Sequence, residues 1–181
     1  MRKLLILCEE GSAKKFLDIF IPRLVSEYFP NYRKGTDYNF NIIETKGKGN
    51  IKKRLAQLDA TITNYTHLII LVDQDDDDCC NLKSIIQNSV SWKTPTKIRI
   101  ACHELESFYL GDKVALKHAL GKDVPLQRRK PDNIPNAAKY ISQYKNYAKT
   151  ELAPKMGKLI SLQTESYSFN ILTRTIKEML S

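Results

Sequence analysis

Residues 66–80 read THLIILVDQDDDDCC, and the rest of the chain is organised around them. An apolar run over 68–72 ends abruptly in Asp73, Asp75, Asp76, Asp77 and Asp78. A run this short and continuous predicts a strand buried on both faces, hence central in a parallel sheet. Open α/β sheets place their ligands at the carboxyl ends of such strands. Crowding the acids is costly, since two carboxylates ~4 Å apart repel by roughly 4 kcal/mol at an effective dielectric of 20. A bound cation removes that cost, and so does full exposure to water.

Outward from this stretch, residues 3–8 form a second short apolar run that delivers Glu9 and Glu10 to its carboxyl end. Gly11 and Ser12 supply a turn and a helix cap. Phe16, Leu17, Phe20, Leu24 and Tyr28 then recur at helical spacing. Pro22 removes a helical hydrogen bond and predicts a kink or two abutting helices. Tyr38, Phe40 and Ile42 alternate with polar residues, as in a half-buried strand near an edge. Residues 97–102 (KIRIAC) make a fourth strand, followed by 103–110 (HELESFYL) and a helix to about Leu120. Strands alternating with helices predict an α/β fold: a mostly parallel sheet of about four strands with helices on both faces. Residues 1–120 form this core, and 121–181 form a basic helical extension packed on it.

The 181 residues carry a net charge of +9. A basic body with one concentrated acidic spot points to a polyanionic partner, nucleic acid above all, and a metal at the spot. No apolar run approaches membrane-spanning length and the N-terminus turns acidic too soon for a signal peptide, so a soluble, cytoplasmic protein is expected. Cys8, Cys79, Cys80 and Cys102 form no C-x-x-C pair and read as reduced, mostly buried thiols.

Residues 46–50 (KGKGN) make a glycine-lysine turn into a helix capped by Asn50, with Ile51, Leu55, Leu58 and Ile62 as its stripe. The turn is either a solvated connection or a phosphate grip through Lys46 and Lys48. Residues 119–181 hold 11 Lys/Arg against 5 Asp/Glu. Arg128, Arg129 and Lys130 stand together there, and Tyr140, Tyr144 and Tyr147 either line a nucleic-acid groove or pack.

The acids themselves exclude several chemistries. A calcium EF-hand loop from Asp73 needs Gly at 78 and Glu at 84, where Asp78 and Ser84 stand. A D-x-D-x-T/V phosphatase is weakened by Asp77. H-E-x-x-H zinc chemistry from His103 fails at Ser107. Asp76, Asp77 and Asp78 fit helix capping. Asp73 and Asp75, together with carboxylates from the other strand ends, fit a hard-cation site, suited to magnesium or manganese.

Residues 5–9 (LILCE) with Phe16-Leu17 resemble the first motif of Toprim domains, the fold shared by topoisomerases, primases and overcoming-lysogenization-defect nucleases; residues 71–75 (LVDQD) resemble the second. The chain is similar over most of its length to small Toprim-like proteins encoded in bacteria beside ATPases. That similarity includes residues 46–49, 103–106 and the late Ala153-Pro154-Lys155-x-Gly157. The resemblance implies Glu9 as a catalytic or metal-positioning carboxylate and Asp73 and Asp75 as metal ligands. It also implies Mg2+ or Mn2+ as cofactor, nucleic acid as substrate and an ATPase partner in anti-phage defence. Lys155 joins Lys46, Lys48, Arg128, Arg129 and Lys130 as a candidate nucleic-acid contact. The glycine usual after the glutamate is Glu10 here, so Glu10 is an alternative to Glu9. Of Glu104 and Glu106, one faces the metal and the other caps the helix; Glu106 is favoured for the catalytic role.

Overall fold

The computed structural model describes residues 1–58 and 61–181. Four strands, β1 (Arg2–Cys8), β2 (Tyr38–Glu44), β3 (His67–Asp73) and β4 (Thr96–Ala101), form one sheet in the order β2-β1-β3-β4. All three pairings are parallel. The α/β class and the parallel sheet expected from sequence are therefore the ones observed. The β1 and β3 side chains are buried on both faces, as their unbroken apolar runs require. β2 alternates and lies at an edge.

The helices divide between the two faces. α2 (Ile51–Leu58) and α3 (Cys79–Gln87) cover one, packing Ile51, Leu55, Leu82 and Ile86 against Leu5, Leu7, Leu68 and Ile70. The other carries α1 (Gly11–Tyr28), α4 (Glu106–Leu110), α5 (Lys113–Leu120), α6 (Ala137–Ser142), α7 (Lys149–Leu159) and α8 (Tyr167–Leu180). These share one core with Leu4, Ile6, Ile69 and Leu71. At its centre Phe169 of α8 meets Phe16, Phe20 and Phe108 with ring centroids 5.3–6.4 Å apart. α7 lies so close to α1 that a Cβ on Gly157 would stand 2.7 Å from the Phe16 carbonyl oxygen.

Several local expectations change. α1 runs through Pro22 as a single helix, and its N-cap is Glu10, with Ser12 Oγ donating to Glu10 Oε2 at 3.1 Å. α2 is described over Ile51–Leu58, and Ile62 lies in a 3-10 turn (Ile62–Asn64). The helix after β4 breaks at Gly111, where Asp112 caps α5 by accepting from Ala115 N. Of the four free cysteines, Cys8 is buried, Cys79 and Cys102 are half-buried and Cys80 is exposed, so burial is not their common property. Among the described residues no helix is long and apolar enough to cross a membrane.

Candidate functional site

A parallel sheet gathers the carboxyl ends of all its strands along one edge. In this order β1 leads to β2 on one side, while β3 leads to β4 on the other. The crevice between β1 and β3 is thus the topological switch point, where such sheets bind ligands. Glu9 and Asp73 meet there. Glu9 Oε2 accepts the Asp73 N–H at 3.3 Å, and its Oε1 accepts the Lys48 N–H at 3.1 Å. Two backbone donors fix the orientation of the Glu9 carboxylate, and they oppose the effect of burial, which pushes its pKa up.

Asp73 is buried at the end of β3. Burial holds its carboxyl well above the ordinary range, and the neighbouring charges of Glu106, Glu9 and Glu10 add to the effect. Glu106, in the first turn of α4, is 1% exposed, and neither of its carboxylate oxygens has a hydrogen bond. Burial raises its pKa as well, offset in part by Lys149. Glu104 takes the capping role, at a helix far along the chain: its Oε2 accepts the Ala138 N–H of α6 at 2.7 Å. Glu106 lies near enough to Asp73 for its charge to help raise the Asp73 pKa.

Asp75 stands at the margin of this group, close enough for its charge to add to the rise in the Glu9 pKa. Its carboxylate lies 2.7 Å from Lys48 Nζ, which also binds Asp77 and donates to the carbonyls of Asp73 and Gln74. Burial disfavours the Lys48 ammonium, but these two carboxylates raise its pKa overall. Of the three acids assigned to capping, only Asp78 caps, accepting from Asn81 N at 2.8 Å. Asp77 is an ion-pair partner of Lys48, and Asp76 is exposed. Lys46, Asp75 and His103 each lie two residues past a strand end, and all have left-handed backbone, with φ of 58°, 50° and 58°. Such conformations cost on the order of 1–3 kcal/mol each and cluster at functional sites.

Sequence reasoning missed Lys149. Its Nζ, at the start of α7, lies 3.4 Å from Glu106 Oε2 and 3.8 Å from Glu10 and Glu104. Burial works against this ammonium, yet the carboxylates of Glu106, Glu10 and Glu104 hold its pKa above the usual lysine range. No local pattern marks it, because the acids it meets come from β1 and from the β4–α4 turn.

The basic candidates lie in three places. A cleft beside the end of β2 is lined by Thr45, Lys46, Asn50, Lys53 and Arg54. Arg128, Arg129 and Lys130 are exposed and line a second cleft with Lys113 and Tyr167. Their loop is tied to the end of β4: Asp132 accepts from Ser166 Oγ and Ser168 N, and Ser168 Oγ accepts from Cys102 N. Lys155 is exposed on α7.

The donor set is all oxygen, which fits a hard cation such as Mg2+ or Mn2+. The unbonded, buried oxygens of Glu106 fit the same group, since a desolvated carboxylate needs a compensating charge. Among the described residues no three acidic, histidine or cysteine side chains are already gathered in a metal-holding arrangement. Two ammonium groups stand among the acids, as described.

Comparison with curated proteins and with solved structures gives no match. A family model described as a domain of unknown function, DUF4276, matches residues 8–177, and so spans both the sheet edge with its acids and the helices that close over it. The chain belongs to the DUF4276 family.

Proposed function

We propose that this chain is a cytoplasmic, metal-dependent nuclease of the Toprim type that hydrolyses phosphodiester bonds in DNA or RNA and works with an ATPase partner in defence against phage. The observation that carries the reading is the meeting of Glu9 with Asp73 across the β1/β3 switch point, beside the buried Glu106. Glu9, Asp73 and Asp75 would hold Mg2+ or Mn2+, which supplies polarisation of a phosphoryl oxygen and charge compensation. Glu9 is pre-oriented by its two backbone donors. Glu106, with its pKa raised by burial, is suited to hold or take up a proton near the reacting phosphate. Lys46, Lys155 and the run Arg128, Arg129 and Lys130 would take the flanking phosphates, with Lys48 at the margin of the acidic group.

Purified protein with Mg2+ or Mn2+, alone and with an ATPase from the same locus, is expected to cleave labelled DNA or RNA. Asp73→Asn and Glu9→Gln should each reduce the rate by ~10²–10⁴-fold while retaining nucleic-acid binding. Intact substrate under every combination would leave the nuclease reading without support.

One observation favours a second reading, a non-catalytic nucleic-acid-binding or regulatory subunit of an ATPase complex. Lys48 and Lys149 already neutralise much of the acidic group. On that reading the wild-type chain binds nucleic acid without cutting it, and replacing Asp73 and Asp75 with Ala changes nothing in that assay.

A further inference from the structure

Lys149 differs from an ordinary ion-pair lysine. Charge-assisted hydrogen bonds close to about 2.7–2.9 Å. Lys48 reaches that range on Asp75, whereas Lys149 stands 3.4–3.8 Å from three carboxylates, Glu10 after β1 and Glu104 and Glu106 at the β4–α4 junction. It closes tightly on none and is shared by all. Its most buried neighbour, Glu106, has no hydrogen bond on either oxygen. An unpartnered buried carboxylate is strongly unfavourable, so the nearby ammonium is what allows Glu106 to be charged there. The Lys149 side chain remains about one-third exposed, at 35%, which leaves it a way out to water.

Resting on the divalent-cation reading above, we propose that Lys149 is the resident counter-ion of Glu10, Glu104 and Glu106, the acids beside the proposed ligands Glu9 and Asp73, and that its charge opposes binding of the divalent ion there. In the cation-free protein the ammonium holds Glu10, Glu104 and Glu106 in place. The divalent ion, held by Glu9, Asp73 and Asp75, would bring a second cation next to these three acids, and the ammonium withdraws toward solvent as it binds. Lys149 thereby makes metal binding weaker than the acids alone would give, in the way that any occupied alternative state reduces apparent affinity.

Lys149→Met keeps the length of the side chain and removes the charge. Calorimetric titration with Mn2+ is expected to show at least about tenfold tighter binding to Lys149→Met than to wild type, with Lys149→Arg close to wild type. In chelator, Lys149→Met should melt below wild type and recover more on adding Mn2+. If wild type binds Mn2+ in an Asp73-dependent way and Lys149→Met binds it no tighter, the proposal is disproved while the nuclease reading stands. If neither protein binds Mn2+, both fall. Should Lys149→Met not fold, the wild type still decides: labelling by an amine-reactive reagent, read by mass spectrometry at Lys149, should rise severalfold when Mn2+ is added. Labelling unchanged by Mn2+ overturns the proposal.

Discussion

Asp73 concentrates the electrostatic cost of the strand-end site. Burial and three neighbouring carboxylates hold its folded-state pKa above the unfolded value, and Glu9 and Glu106 shift in the same direction. The native state therefore binds more protons than the unfolded chain over this range. Stability from such groups is fully present below the unfolded pKa, near 4, and is lost as pH rises through the folded values. In cation-free buffer the melting temperature is thus expected to fall as pH rises above the ordinary carboxylate range. Asp73→Asn should flatten that slope and raise the melting temperature at the upper pH by roughly 2–6 °C, equivalent to about 1–2 kcal/mol for a chain of this size. An Asn variant with an unchanged slope would place the titration elsewhere. At this scale the sequence is partly legible. Glu9 and Asp73 follow from where apolar strands end, since the next residue has nowhere to sit but the sheet edge. Asp77 is less legible, because an acid near a helix start looks the same whether it caps or pairs. Lys149 has no signature at all: its role depends on a helix docking against acids distant in sequence, Glu10 near the start of the chain and Glu104 and Glu106 in its middle.

Between elements, α7 is held against α1 at both a small residue and a charged one. A methyl on Gly157 would stand 2.7 Å from Phe16 O and 3.0 Å from Ile19 Cβ, both firmly placed atoms. Arg23 of α1 donates to the carbonyls of Gly157 and Ile160 at the end of α7, a cation where the helix dipole favours one. Gly157→Ala is expected to cost about 1–3 kcal/mol by forcing the helices apart, read as a lower midpoint in urea. Because α7 also carries Lys149, the same variant should weaken whatever Lys149 does at the other end. The element pattern itself was readable where period and punctuation agreed. Continuous apolar runs gave β1 and β3, and alternation gave β2 as an edge strand. Pro22 marks no helix boundary, because a helix packed along its whole length tolerates one missing hydrogen bond. Gly111 and Asp112 did carry the punctuation that separates α4 from α5, a glycine followed by a capping acid, although apolar spacing ran straight across them.

For the molecule as a whole, net charge of +9 coexists with an acidic edge, and Lys48 and Lys149 are only two of its basic groups. Lys46 and the run Arg128, Arg129 and Lys130 are exposed in two clefts. Neutralised phosphates release counterions, and each lost contact reduces the salt dependence of binding by about one unit of slope. Replacing Arg128, Arg129 and Lys130 together by Ala is expected to weaken nucleic-acid binding and flatten the plot of log affinity against log salt by about 2–3 units. An unchanged slope would remove this loop from the interface.

The strand order has a temporal consequence. No two neighbouring strands are joined by a hairpin, so every pairing waits for an intervening crossover to be placed, and contacts distant in sequence make folding slow. During synthesis Glu9, Asp73 and Glu106 emerge well before Lys149 and the helix that begins with it. A nascent or clipped polypeptide that stops short of α7 therefore carries these acids unneutralised and keeps them hydrated, and the centre is assembled only when the chain's last third has arrived.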